Sequence, residues 1–288
     1  MTFTAETNPS TERPVGRYFA LLVEFDGTDF VGWQEQLNLR SVQGTLRRAI
    51  IRLAKEPIIL TGCSRTDSGV HAAGHVSSFR TTVRIPTEKW PPALNSILPD
   101  DISVIDAFCF EDYPFDARRE ALDKQYSYRI LNRRNPSALL TRGYYFEPRP
   151  LDAAAMNQAA EAFIGRHDFR AFMATGSEVK TTTRTIYELC VEPDIAQRDC
   201  WVIRVRGDGF LYNMVRIIAG TLVEVGLGKI RPEDVASMIV GGERKAAGLT
   251  LPAKGLRLDF VTYKQGLFGY QPWREYNEDV RKELKEYI

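Results

Sequence analysis

Apolar stretches of this chain switch between a two-residue and a 3.6-residue period in an order that a succession of βαβ units does not produce. Residues 18–25 (YFALLVEF) are apolar and aromatic and stop at Asp26-Gly27, a turn signal, so they read as a core strand. Residues 42–54 place Leu46, Ala49, Ile50 and Leu53 at helical spacing, with Ser41 positioned as the cap. Residues 58–60, 75–79 and 102–108 read as further strands. A second set opens with a strand at 126–131 and a surface connection over 132–150, rich in proline and arginine. It continues with a helix at 153–164 capped by Asp152, strands at 185–191 and 200–206, and a helix at 210–225. Pro232 opens one more helix, and residues 257–262 form a last strand. This order predicts an α+β fold of two halves with mainly antiparallel sheets, flanked by helices. The expected organisation is a polar leader over 1–16, an N-terminal half over 17–115 carrying a loop at 61–74, a C-terminal half over 116–264 and a tail over 265–288. In the tail, Tyr276, Val280, Leu284 and Tyr287 have the spacing of an amphipathic helix.

Charge and cysteine content exclude several classes. No apolar run is long enough for a membrane span, and the polar first residues lack the apolar core of a signal peptide. Cys63, Cys109, Cys190 and Cys200 form no C-x-x-C pair and no zinc spacing, which reads as reduced thiols in a cytoplasmic protein. His71 and His75 are four apart, a metal spacing on a helix, but Gly69 and Gly74 argue against a helix there. No metal and no cofactor are therefore expected. The pairs Asp100-Asp101 and Glu111-Asp112 would point to opposite faces if extended, unlike the clustered carboxylates of a metal-dependent nuclease. There is no P-loop and no G-x-G-x-x-G after a strand. With 38 basic and 37 acidic residues the net charge is +1, so a surface for nucleic acid requires segregation of charge in space.

The stretch that carries chemistry is TGCSRTDSGVHAAG at 61–74. Arg65 and Asp67 project from a turn flanked by Gly62 and Gly69. On chemistry alone, a turn-forming role for the aspartate is the simpler reading. The pattern G-x-x-R-T-D-x-G-V-H-A-x-G is longer than a turn demands, and it resembles the catalytic loop of the TruA family of tRNA pseudouridine synthases. It departs from that loop at Cys63, Ser64 and Ser68. Other segments are similar to the family in the same order: VEFDGTDFVGWQ at 23–34, VQGTL at 42–46, KQYSYR at 124–129, GRHDF at 165–169, TRTI at 183–186, FLYNMVRIIAG at 210–220 and LPAKGL at 251–256.

The resemblance implies an isomerase that converts uridine to pseudouridine in the anticodon stem-loop of tRNA, at positions 38, 39 and 40. It implies no cofactor, two similar halves with a cleft between them, and a homodimer in which one tRNA contacts both subunits. Asp67 is then the catalytic carboxylate. Arg216, in the apolar sequence MVRIIAG, is its ionic partner, since a buried arginine nearly demands an anion. Tyr126 maps onto the tyrosine that stacks on the target base, with Tyr128, of the same strand parity, as the core member. Arg65 serves the displaced backbone or fills the gap left by the extruded base. Leu251 and Leu256 wall the uracil pocket. Lys180 and Arg184 are candidate phosphate contacts, as are Arg13, Arg133, Arg134 and Arg142. Trp33 reads as core, and Asp168, beside His167, as a turn or cap residue. The competing reading is an RNA-binding protein of the same fold without catalysis, which needs no such carboxylate. The catalytic reading requires Asp67 in a cavity beside Arg216, not on an open convex face.

Overall fold

A computed structural model of the chain describes residues 16–176, 179–264 and 266–269. The first half begins with β1 (Arg17–Phe25), α1 (Val42–Ala54), β2 (Thr61–Gly62) and β3 (His71–Thr81), then α2 (Trp90–Asn95) and β4 (Ile102–Phe110). Next come β5 (Ala121–Asn132), β6 (Tyr145–Glu147), α3 (Ala153–Ala160), β7 (Gly165–Asp168), β8 (Thr183–Pro193) and β9 (Cys200–Gly207). The described chain closes with α4 (Met214–Gly226), α5 (Asp234–Gly241) and β10 (Leu256–Tyr263).

The strands join one mostly antiparallel sheet in the order β4-β1-β3-β10-β5-β9-β8-β7, with β2 beside β3 and β6 beside β5. The fold is α+β, as its element order predicts. The last strand, β10, sits in the middle. It pairs antiparallel with β5 along most of its length but parallel with β3 through only Arg257–His71 and Leu258–Ala72. A buried polar cluster backs this seam: Asp259 accepts hydrogen bonds from Ser127 (2.9 Å) and Arg257 (2.6 Å).

Helix caps were legible. Ser41 accepts from the Gly44 amide (3.3 Å) at the start of α1, and Asp152 accepts from the Ala155 amide (3.0 Å) at the start of α3. Helix α4 is apolar nearly all round and is accordingly buried, packed against α3 and β5.

Several boundaries differ from expectation. Residues 58–60 are not a strand; the short strand is Thr61–Gly62. β3 starts at His71, inside the stretch read as loop. The helix expected from Phe210 starts at Met214, because Asn213 takes a left-handed conformation (φ 60°) that breaks helical continuity. The helix expected to run to Ile164 ends at Ala160 and gives way to a 3-10 turn, Glu161–Phe163. β6 lies within the stretch read as connection, and β7 and α2 were not anticipated. The tail helix expected beyond 270, and Arg13 in the leader, lie outside the described residues. No helix of the described residues is long and apolar enough to cross a membrane.

Trp33 is buried and its indole stacks on the imidazole of His75, with centroids 3.7 Å apart. A Cβ at Gly62 would collide with the Trp33 ring. Gly62→Ala should therefore lower the unfolding free energy by about 1–3 kcal/mol, the usual cost of overpacking. Urea denaturation measures this; unchanged stability would mean that Trp33 moves aside freely.

Candidate active site

The segment between β2 and β3 is laced to the connection between β1 and α1. The Trp33 amide donates to the Thr66 carbonyl (3.0 Å), and the Gly69 amide to the Phe30 carbonyl (3.3 Å). The Ser68 hydroxyl donates to the same Phe30 carbonyl (3.2 Å). Below it, His75 reaches the Ser64 carbonyl through Nε2 (3.1 Å). Burial holds the His75 imidazole down at about 3, so the ring stays neutral and its Nε2–H donates. His75 therefore pins the loop. Among the described residues no group of three or more His, Cys, Asp or Glu side chains could hold a metal ion.

So held, the loop presents Asp67 to a cleft of about 1150 Å³, ample for a nucleotide. One wall is the loop with Val31, Gln34 and Gln36; the other comes from β5, Arg184, Leu256 and the 210–215 segment. Asp67 is neither convex nor open: its side chain is 28% exposed, and its Oδ2 lies 3.6 Å from Nη1 of Arg216, which is 17% exposed. Arg216 is itself anchored. Its Nε donates to the Leu251 carbonyl (2.7 Å) and its Nη1 to Oδ1 of Asn213 (2.6 Å). The left-handed turn at Asn213 that delays the helix thus brings an amide oxygen to the guanidinium.

Burial and ion pairing oppose each other at Asp67. Desolvation raises its carboxyl above the ordinary aspartate range, and the Arg216 charge offsets only part of that rise. A carboxylate of this kind is a stronger base than a solvated one, yet it remains accessible from the cleft.

Tyr126 and Tyr128 share a strand face and divide by position along it. Tyr128 is fully buried and donates to the Pro252 carbonyl (2.8 Å). Tyr126 lines the cleft, lies edge-on to Phe210 (centroids 5.2 Å) and shares a hydrogen bond with the Ser64 hydroxyl (3.1 Å). Burial pushes its phenol above the ordinary value, so it stays protonated at neutral pH. Arg65 is exposed on the cleft wall and makes no hydrogen bond or ion pair with any described residue.

Of the remaining sequence candidates, Leu256 and Arg184 line the cleft. Leu251 is buried, and its contribution is the carbonyl that holds Arg216. Lys180 is exposed and is not among the lining residues. Arg142 reaches Asp29 (3.6 Å) and Asp26 (3.9 Å), and Asp168 accepts from the Arg170 amide (3.1 Å) as a turn residue does. The sequence reading did not single out Asn213, Arg118, Lys124 or Tyr212, although all four line the same cleft. Strand alternation from Tyr126 could have found Lys124; the others depend on how distant segments meet. The charged lining residues are Arg65, Arg118, Lys124 and Arg184 against Asp67 alone. In a chain of net charge +1, the lining of this cleft is thus locally basic.

The model of a family described as tRNA pseudouridine synthase matches residues 21–118 and 159–264. A protein of Acetivibrio thermocellus named tRNA pseudouridine synthase A is 47% identical over 249 residues, covering 86% of this chain and 100% of its own length. Proteins of the same name from Clostridium botulinum and Caldicellulosiruptor bescii are 46% and 44% identical over 247 residues, with the same coverage. A chain matched over most of its length by this family model, and at this identity by its members, belongs to the tRNA pseudouridine synthase family.

Proposed function

We propose that this protein isomerises uridine to pseudouridine in the anticodon stem-loop of tRNA, at positions 38, 39 and 40, with Asp67 as the catalytic carboxylate. The observation that carries the reading is the Asp67–Arg216 pair, 3.6 Å apart inside a cleft whose other charged lining residues are all basic. The reaction breaks the bond from ribose C1′ to uracil N1 and forms one from C1′ to C5; the C5 proton leaves and N1 gains one. It is balanced without an oxidant or a metal. The uridine must first leave the helical stack. Arg65, unpaired at the cleft wall, contacts the displaced backbone.

In the cleft the Tyr126 ring offers a flat face to the uracil, and Leu256 closes the pocket beside it. Because its phenol stays protonated, Tyr126 works with Ser64 as a hydrogen-bonding pair, not as a free base. A carboxylate supports bond cleavage by attaching covalently or by acting as base at the sugar. Either route requires the ionised form, and Arg216 favours it. Segments 17–115 and 116–264 serve as the two halves flanking the site. Family membership supports a homodimer in which one tRNA contacts both subunits.

The test is release of tritium from a tRNA transcript labelled at C5 of uridine. Label should leave in proportion to pseudouridine formed, and should do so in chelator. Binding of tRNA with no release of label would instead favour an RNA-binding protein without catalysis.

A further inference from the structure

Strand β5 alternates its side chains, so Lys124 faces the same side as Tyr126, two residues on. Lys124 lines the cleft that holds Asp67 and is half-buried in its wall. It makes no hydrogen bond and no ion pair with any described residue. Burial depresses its ammonium most, and the nearby cations Arg118 and Arg184 depress it further, with only the Cys63 sulfur acting the other way. The neighbouring Cys63 thiol offers no counter-charge, since burial pushes it up to about 11. Asp67, the one acidic lining residue, is paired with Arg216. Arg118 is exposed with its guanidinium unpartnered among the described residues, and Arg184 donates only to the carbonyls of Thr181 (3.0 Å) and Thr183 (2.6 Å).

Two cations beside a desolvated ammonium, without an anion, are unfavourable in the free protein. Such an arrangement persists where a ligand completes it. We propose that Lys124 is the seat of an RNA backbone phosphate beside the extruded uridine, with Arg118 and Arg184 closing round the same phosphate. A phosphodiester suits the site because it presents two charged oxygens to several donors at once. Lys124 is thus a substrate-positioning residue, and its charge is held for the ligand at some expense to the fold: desolvation and the two arginines depress its ammonium below the ordinary lysine range. The inference rests on the reading of RNA as substrate.

The experiment is filter binding of a tRNA transcript across a salt series, with thermal melts, for wild type, Lys124→Met, Lys124→Arg and Arg118→Ala. Lys124→Met should melt no lower than wild type, because it removes an unpaired desolvated charge. It should bind about ten-fold more weakly near physiological salt, the loss of one charge-assisted contact. The slope of log Kd against log salt should fall by about 0.7–0.9. Lys124→Arg should recover most of the affinity and the slope. A Lys124→Met protein that folds and keeps the wild-type slope overturns the seat, while tritium release by the wild type leaves the functional reading standing. If Lys124→Met fails to fold, Arg118→Ala decides, since its side chain is exposed: an unchanged slope there also overturns the proposal. Wild type that binds no tRNA at all would sink the functional reading first.

Discussion

Asp67→Asn should abolish pseudouridine formation, by at least about a thousand-fold, and yet leave the protein at least as resistant to heat as the wild type. Activity is lost because the amide is neither a base nor a nucleophile, although its size is unchanged. The stability half follows from linkage. The carboxyl is raised in the folded state above the ordinary aspartate value because burial outweighs the Arg216 charge. The folded protein therefore holds that proton more tightly than the unfolded chain does. What this group adds to stability is fully present below the unfolded value and is lost as pH rises through the folded one. At neutral pH the ionised carboxylate is a net burden, which asparagine removes. The melting advantage of Asp67→Asn should accordingly shrink as pH falls toward the ordinary aspartate range. A variant that melts well below wild type at neutral pH would show that the ion pair outweighs burial.

Arg216→Ala should reduce turnover by about a hundred-fold, the usual penalty when a reacting group loses its positioning, and should also change the pH profile. The guanidinium is what lowers the Asp67 carboxyl against desolvation. Without it that carboxyl rises further, so the acidic limb of the rate profile should move to higher pH. Stability should fall too, by about 1–3 kcal/mol, since the Leu251 carbonyl and the Asn213 amide oxygen lose their donor. Arg216→Lys separates the effects. A single ammonium keeps the charge but cannot satisfy Leu251, Asn213 and Asp67 together. The limb should then stay near the wild-type position while turnover remains low. If the limb of Arg216→Ala does not move, the two side chains are not coupled in catalysis.

The helices show what local rules reach. For α1 the expected bounds, 42–54, coincide with the observed ones, because the apolar spacing and the Ser41 cap are both local. Strand α+β order was legible for the same reason. α2 was not, since Trp90-Pro91-Pro92 reads as a breaker although proline is tolerated in a first helical turn. The start of β3 was hidden in a different way. Gly74 reads as a loop residue, but a Cβ there would strike the Asp259 carbonyl of the neighbouring strand. It marks close approach of two backbones inside a sheet. In the site, Asp67, Tyr126 and Arg216 could be named from motif resemblance; the structure puts Asp67 and Tyr126 on one cleft and Arg216 against Asp67. Arg118 carries no signal of its own, because a solvated charge and a cation in a cleft have the same letter in the sequence.

The central position of β10 has a consequence for biosynthesis. Strands β3 and β5 are not neighbours until Leu256–Tyr263 lies between them. A ribosome that has made everything before residue 256 therefore carries a nascent chain with two uncovered strand edges, the kind of edge that invites pairing with other chains. The loop that carries Asp67 leads straight into β3, whose first residues, His71 and Ala72, are the ones that pair with the last strand. Translation stalled shortly before that point should yield an aggregation-prone product with no partial activity, and the newly made enzyme should need its exposed edges shielded until synthesis of β10 is finished.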